Sequence, residues 1–247
     1  MKLYEIIKEA ELFAPRELAE EWDNVGLMVG GKDKEVKTAV VTLDVTEAAV
    51  NFAVKNKCDL IVSHHPFIMP KLSAIDFDTK KGKLIEKLIN NNVAVYSMHT
   101  NFDTTEGGVN DALCEIFDFR NKTAEGMVRK GEIAEVNLEE FINIVKERLN
   151  VNYVTYCGDL DKKIKKAAIC GGGGGSFIPM CFDCDVLLTG EAKYHEYQIA
   201  EENDFAVISA GHFETENITL YKIREFLTGL GVEVKDGDFH KSFCNIV

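Results

Sequence analysis

The sequence predicts an α/β protein of two similar lobes, each a mixed sheet flanked by helices, with a metal site for more than one ion at the ends of its strands. Three observations carry that expectation. Short β-rich runs alternate with segments of helical periodicity, the mark of parallel βαβ units. The order of those runs recurs in the second half of the chain. Three of the runs also stop on candidate metal ligands: residues 60–63 enter His64-His65-Pro66, residues 93–98 enter His99 with Asp103 four positions on, and residues 205–210 pass Gly211 into His212 with Glu216 four positions on. Ligands of open α/β sheets bind at the carboxyl ends of the strands, so one sheet edge would gather imidazoles and carboxylates.

Each element follows from local pattern. Leu3, Ile6, Ile7 and Ala10 have helical spacing, and Pro15 opens a second short helix through Ala19. Residues 21–31 read as a turn entering a strand, 38–43 as a strand, and 46–55 as a helix with Thr46 at its N-cap. Strand 60–63, a helix over 80–91, strand 93–98 and a helix over 110–117 follow. Residues 121–136 are polar and weakly patterned and mark the expected boundary, giving a first lobe of 1–125 plus 212–247 and a second of 126–211. Residues 138–149 form an amphipathic helix, after which the first pattern returns. Run 165–170 parallels 37–42, 184–189 parallels 58–63 with the same Cys-Asp pair before the strand, and 205–209 parallels 93–97. The repetition implies an internal duplication of a β-α-β-α-β unit.

Bulk composition narrows the function classes. The 247 residues are 46% hydrophobic and 28% charged, as expected of a globular chain that forms a core without staples. A net charge of −13 argues against general nucleic-acid binding, which rests on Lys and Arg neutralising phosphates. The N-terminal residues are charged throughout, no apolar run approaches a membrane span, and seven cysteines show no framework, so a cytoplasmic protein with free thiols is expected. The C-x-x-C of Cys181 and Cys184 lacks a second pair and reads as two buried cysteines on a helix.

Adjacent imidazoles at a strand end suit two adjacent ions, and His212 with Glu216 at i, i+4 would share a helix face as a chelating pair. His64, His65, Asp103, His212 and Glu216 form a nitrogen–oxygen set for two divalent ions, suited to Zn, Mn, Fe, Co or Ni, with positions left open for water. His99 is either a ligand or the group that orients Asp103, and the second is favoured. Glu191 and His195 stand at the duplicate of the Ser63-His64 position; with His99 they are the candidates for proton transfer. The run Gly171 to Gly175 after a strand hints at backbone N–H groups cradling a phosphate or carboxylate. Asp23 and Asn24 either reach the cleft or cap a turn, and His240 reads as structural or exposed.

Together, Trp22-Asp23-Asn24-Val25-Gly26-Leu27, Ser63-His64-His65-Pro66, His99-Thr100-Asn101-Phe102-Asp103, Thr189-Gly190-Glu191 with His195, and Gly211-His212-Phe213-Glu214-Thr215-Glu216 resemble one family: the GTP cyclohydrolase 1 type 2 homologues, also called NGG1-interacting-factor-3-like proteins. The resemblance covers nearly the whole chain. It implies a two-lobed α/β fold with a dinuclear metal site in the cleft between lobes, two divalent metals on His64, His65, Asp103, His212 and Glu216 with Glu216 shared, and a toroidal homohexamer whose sites face an inner cavity. The chain is too short for the mid-chain insert of longer members, and its glycine run exceeds their usual glycine-serine turn. A dinuclear metal-dependent hydrolase of a nucleotide or phosphorylated heterocycle is the first functional reading. A non-catalytic metal chaperone, insertase or sensor is the alternative, and an adaptor the third.

Overall fold

The computed structural model describes residues 1–244. The chain divides into two compact units: Met1–Thr105 with the stretch from Leu220 onward, and Glu106–Thr219.

The first unit begins with α1 (Leu3–Phe13), which buries Leu3, Ile6, Ile7 and Ala10 along one face, as the spacing required. Residues Arg16–Leu18 make only a 3-10 turn. Then come β1 (Gly26–Val29), β2 (Thr38–Thr42), α2 (Glu47–Lys55), β3 (Leu60–Ser63), α3 (Lys80–Asn90), β4 (Ala94–Ser97) and α4 (Thr100–Thr104). The unit is completed by α9 (Tyr221–Gly229) and β11 (Glu233–Val234), numbered in chain order after the second unit's elements. Side-chain hydroxyls start the crossover helices: Thr46 accepts from Ala49 N at 3.1 Å, and Thr79 accepts from Gly82 N at 3.0 Å. The sheet order is β1-β4-β3-β2-β11, with β1 antiparallel at one edge and the rest parallel. Strands β3 and β4 are buried at every position, hence the unbroken apolar runs. In register, Thr42 lies beside Ser63 and Ser63 beside Ser97, so these three strands end together.

The second unit holds α5 (Val109–Ile116), β5 (Arg120–Glu125), β6 (Val128–Asn137), α6 (Leu138–Leu149), β7 (Thr155–Cys157), β8 (Lys163–Cys170), β9 (Val186–Thr189), α7 (Tyr194–Glu202), β10 (Ala206–Ser209) and α8 (His212–Asn217). Its sheet runs β5-β6-β8-β9-β10-β7, with β8, β9 and β10 parallel. The stretch 121–136, read as weakly patterned, is the β5–β6 hairpin; every residue of β5 is exposed, so no alternation marks it. Helix α6 has the predicted bounds, fixed by a capping box in which Asn137 Oδ1 accepts from Glu140 N at 2.8 Å and Glu140 Oε2 accepts from Asn137 N at 2.9 Å.

The two units share a strand plan. Three parallel strands in the order β4-β3-β2 and β10-β9-β8 each carry an antiparallel edge strand, β1 and β7, beside the last of the three in sequence. The Cys-Asp pairs do the same work in both. Asp59 Oδ2 accepts from Lys37 N (2.8 Å) and Thr38 N (3.1 Å), and Asp185 Oδ2 accepts from Lys165 N (2.9 Å) and Lys166 N (2.8 Å). Each carboxylate ties the residue before the second strand to the backbone of the first, at the start of β2 and inside β8. Among the described residues no helix is long and apolar enough to cross a membrane.

Candidate metal centre

In the first unit the ends of β3 and β4 are locked by two fully buried serines. Ser63 Oγ donates to His65 O at 2.8 Å and lies 2.8 Å from Ser97 Oγ. His64 N donates to Thr42 O and His65 N to Leu43 O, so the adjacent strand β2 fixes the His-His backbone. The side chains then converge. Ring centroids of His64, His65 and His99 lie 5.2 to 5.5 Å apart, and one ligand atom from each falls within 4.8 Å of the others.

Each imidazole is held by its Nδ1. His64 Nδ1 lies 2.9 Å from Met98 O, His65 Nδ1 2.9 Å from Asp44 Oδ1, and His99 Nδ1 2.9 Å from Asp23 Oδ1. A carbonyl only accepts, so the His64 proton is on Nδ1 and the Nε2 lone pair faces away from it. This is the tie that fixes the tautomer and aim of a metal-ligating histidine. Asp103 is buried on α4, with its Oδ1 3.6 Å from His64 Nε2. A set of imidazole nitrogens beside a carboxylate fits a divalent cation of the Zn, Fe, Mn, Co or Ni class.

The second unit holds an imidazole–carboxylate pair of its own. His212 and Glu216 share one face of α8, with Nε2 3.1 Å from Oε2, and Glu216 is 4% exposed. His212 Nδ1 lies 3.3 Å from Glu191 Oε2, the same Nδ1–carboxylate tie.

Several expectations change. The His99 ring bonds Asp23 rather than orienting the Asp103 side chain; its carbonyl instead accepts from Asp103 N at 3.0 Å within α4. Glu191 precedes α7, so its spacing of four from His195 does not put the two on one helical face, and Glu191 reaches His212 instead. His195 lies exposed in the first turn of α7. The glycine run is not an open anion cradle. Gly171 N donates to Asn110 Oδ1, Gly172 N to Thr215 Oγ1, Gly174 N to Thr189 Oγ1 and Gly175 N to Glu191 O. Cys181 ends a 3-10 helix (Gly174–Cys181) and Cys184 lies in the turn beyond it. Burial pushes their thiols up to about 12 and about 11, so both stay protonated at neutral pH.

Asp44 and Asp23 hold two of these imidazoles, a placement the sequence only partly signalled. Asp44 stands just past the end of β2, and the strand-end logic that picked the histidines points to it too. Asp23 is fully enclosed: burial pushes its carboxyl up, but bonds from His99 and Thr100 outweigh that and hold it at about 2. Asn24 caps from the same turn, donating Nδ2 to Ile68 O at 2.7 Å. Replacing Asp44 by alanine is expected to weaken metal binding about 10- to 100-fold with an unchanged circular dichroism spectrum. Chelator competition checks this, and an unaltered affinity would show that Asp44 does not aim His65.

The family model for Duf34/NIF3 (NGG1p interacting factor 3) matches residues 1–241. The chain is 38% identical over 229 residues to the GTP cyclohydrolase 1 type 2 homolog of Clostridium acetobutylicum, covering 87% of this chain and 85% of that one. It is 35% identical over 247 residues to the protein of the same name from Methanocaldococcus jannaschii, covering 97% of this chain and 100% of that one. Among solved structures, reduced HcgD from Methanocaldococcus jannaschii superposes with a TM-score of 0.82 at 34% identity, covering 95% of this chain and 96% of that chain. A Bacillus cereus protein related to NIF3 superposes with a TM-score of 0.90 at 23% identity, covering 100% and 99%, which shows the shared fold. With the model matching nearly end to end, the chain belongs to the Duf34/NIF3 family.

Proposed function

We propose that this chain binds two divalent metal ions through His64, His65, Asp103, His212 and Glu216, and acts as a metal-dependent hydrolase on a nucleotide or phosphorylated heterocycle. The observation that carries the reading is the common tie of four imidazoles: His64, His65, His99 and His212 each have Nδ1 against a carbonyl or carboxylate. When bound, such ions supply Lewis acidity that activates water and offsets developing negative charge. The protein's share is orientation. Asp44 aims His65, Met98 O aims His64, and Glu191 aims His212. His99, held by Asp23, stands beside the ligands as a proton carrier. We also infer that the two units descend from one β-α-β-α-β ancestor, a reading supported by the shared strand plan and the twin aspartate ties.

One observation favours the alternative of a metal donor or sensor: Glu191 is engaged with His212 and His195 lies exposed, which leaves His99 as the candidate acid or base nearest the histidines. The test is elemental analysis of chelator-free protein beside a screen of nucleotides and phosphoesters. About two ions per chain, with turnover that vanishes on chelation and returns on reloading, is the expected result. Turnover persisting in metal-free protein would sink the hydrolase. Bound ions that exchange within seconds, with no turnover, would favour the donor.

A further inference from the structure

The glycine run has an unusual neighbour. Gly172 adopts a left-handed φ of +60°, and a Cβ there would overlap Glu216 Oε1, lie 3.1 Å from Glu216 Cδ and 3.3 Å from His212 Nε2. The absence of a side chain is therefore what lets the loop backbone lie flat against the His212–Glu216 pair. The same residue is tied on both sides. Gly172 N donates to Thr215 Oγ1 at 3.1 Å, and Gly172 O accepts from Glu191 N at 2.8 Å and from Thr189 Oγ1 at 3.2 Å. Thr215, one residue before Glu216, passes its own hydroxyl proton to backbone carbonyls of Gly211 (2.9 Å) or His212 (3.1 Å). Gly190 closes the bed from below, where a Cβ would stand 2.6 Å from Gly172 O and 2.8 Å from His212 Cα.

We propose that this run is a seat for the Glu216 carboxylate, with Gly172 as its positioning residue, held in place by Thr215 and Thr189. The seat narrows the rotamers open to Glu216 and keeps its oxygens next to His212 Nε2 before any ion arrives. The inference rests on the proposed metal-binding role of that pair. It assigns the run to metal affinity and not to substrate phosphate.

Three alanine substitutions separate contact from backbone strain. Gly126 has a similar left-handed φ of +58° with nothing within 4 Å of a Cβ, so Gly126→Ala reports strain alone. Gly173, the neighbour of Gly172, also has open space and a φ of −84°, so Gly173→Ala reports neither strain nor contact. Zinc affinity is measured for all three by chelator competition, with apo thermal unfolding alongside. Gly172→Ala is expected to weaken zinc binding about 10- to 100-fold, while the other two bind as wild type does and Gly126→Ala loses apo stability to a similar degree. Thr215→Ser, which keeps the hydroxyl, is expected to retain affinity, and Thr215→Val to lose it. Wild-type affinity in Gly172→Ala, or an equal loss in Gly126→Ala, overturns the seat and leaves the metal site standing. A wild-type chain that binds no zinc overturns both.

Discussion

Truncating His65 and Glu216 together to alanine is expected to strip the chain of nearly all bound metal while leaving it folded. The two side chains take little part in the apolar cores. His65 is partly exposed and bonds Asp44, and Glu216 lies against His212 at the end of a sheet. Neither belongs to the clusters around Val40, Ile61 and Val95 or around Ala168, Leu187 and Val207. Their loss removes one nitrogen and one carboxylate from the proposed set of five. Metal that binds only the folded chain stabilises it by mass action, about 4 kcal/mol at a thousandfold excess over Kd. Zinc should therefore raise the melting temperature of the wild type and leave that of the double variant unchanged. A double variant that still carries metal, and still melts higher with it, would place the ions elsewhere.

The second large effect is on stability alone. Asp111 on α5 receives Arg129 Nε at 3.0 Å and Lys122 Nζ at 3.0 Å. The Arg129 side chain is only 3% exposed, so Asp111→Ala would take the Asp111 carboxylate away from a desolvated guanidinium. Losing one partner of a buried pair costs about 3–5 kcal/mol, measurable as a shift in urea midpoint. The pH dependence has a definite sign. Burial raises the Asp111 carboxyl, but Lys122 and Arg129 together hold it below the usual carboxylate range. Its contribution is thus complete above about pH 4 and lost as the pH falls through the lower folded value. The gap in stability between wild type and Asp111→Asn should narrow in acid. A constant gap from neutral pH to pH 3 would mean that the charge is not what stabilises.

Much of this was legible in the sequence because it is local. Helix α6 announces itself through the Asn137 and Glu140 caps and its apolar stripe, and β3 through four buried residues in a row. His212 and Glu216 were legible as a pair since one helical turn brings them together. The hairpin of β5 and β6 was not, because a strand exposed on all its residues carries no burial pattern. The partners Asp44 and Asp23 lie 21 and 76 residues from the histidines they hold, a distance only the sheet closes. Glu191 misled by spacing alone, since the helix that would make four residues a turn starts at Tyr194. The glycine run misled by resemblance to an anion loop, when the N–H groups of Gly171, Gly172, Gly174 and Gly175 serve the chain itself.

The strand order of the first unit has a consequence for synthesis. Its last strand, β11, pairs with β2 from far along the chain, Glu233 opposite Thr38. The second unit is one uninterrupted stretch, Glu106–Thr219. A ribosome making this protein releases every residue of the inserted unit before it supplies the strand that closes the enclosing one. The later-encoded unit is therefore the first able to finish folding, and the N-terminal sheet waits with one edge uncovered until β11 has been made.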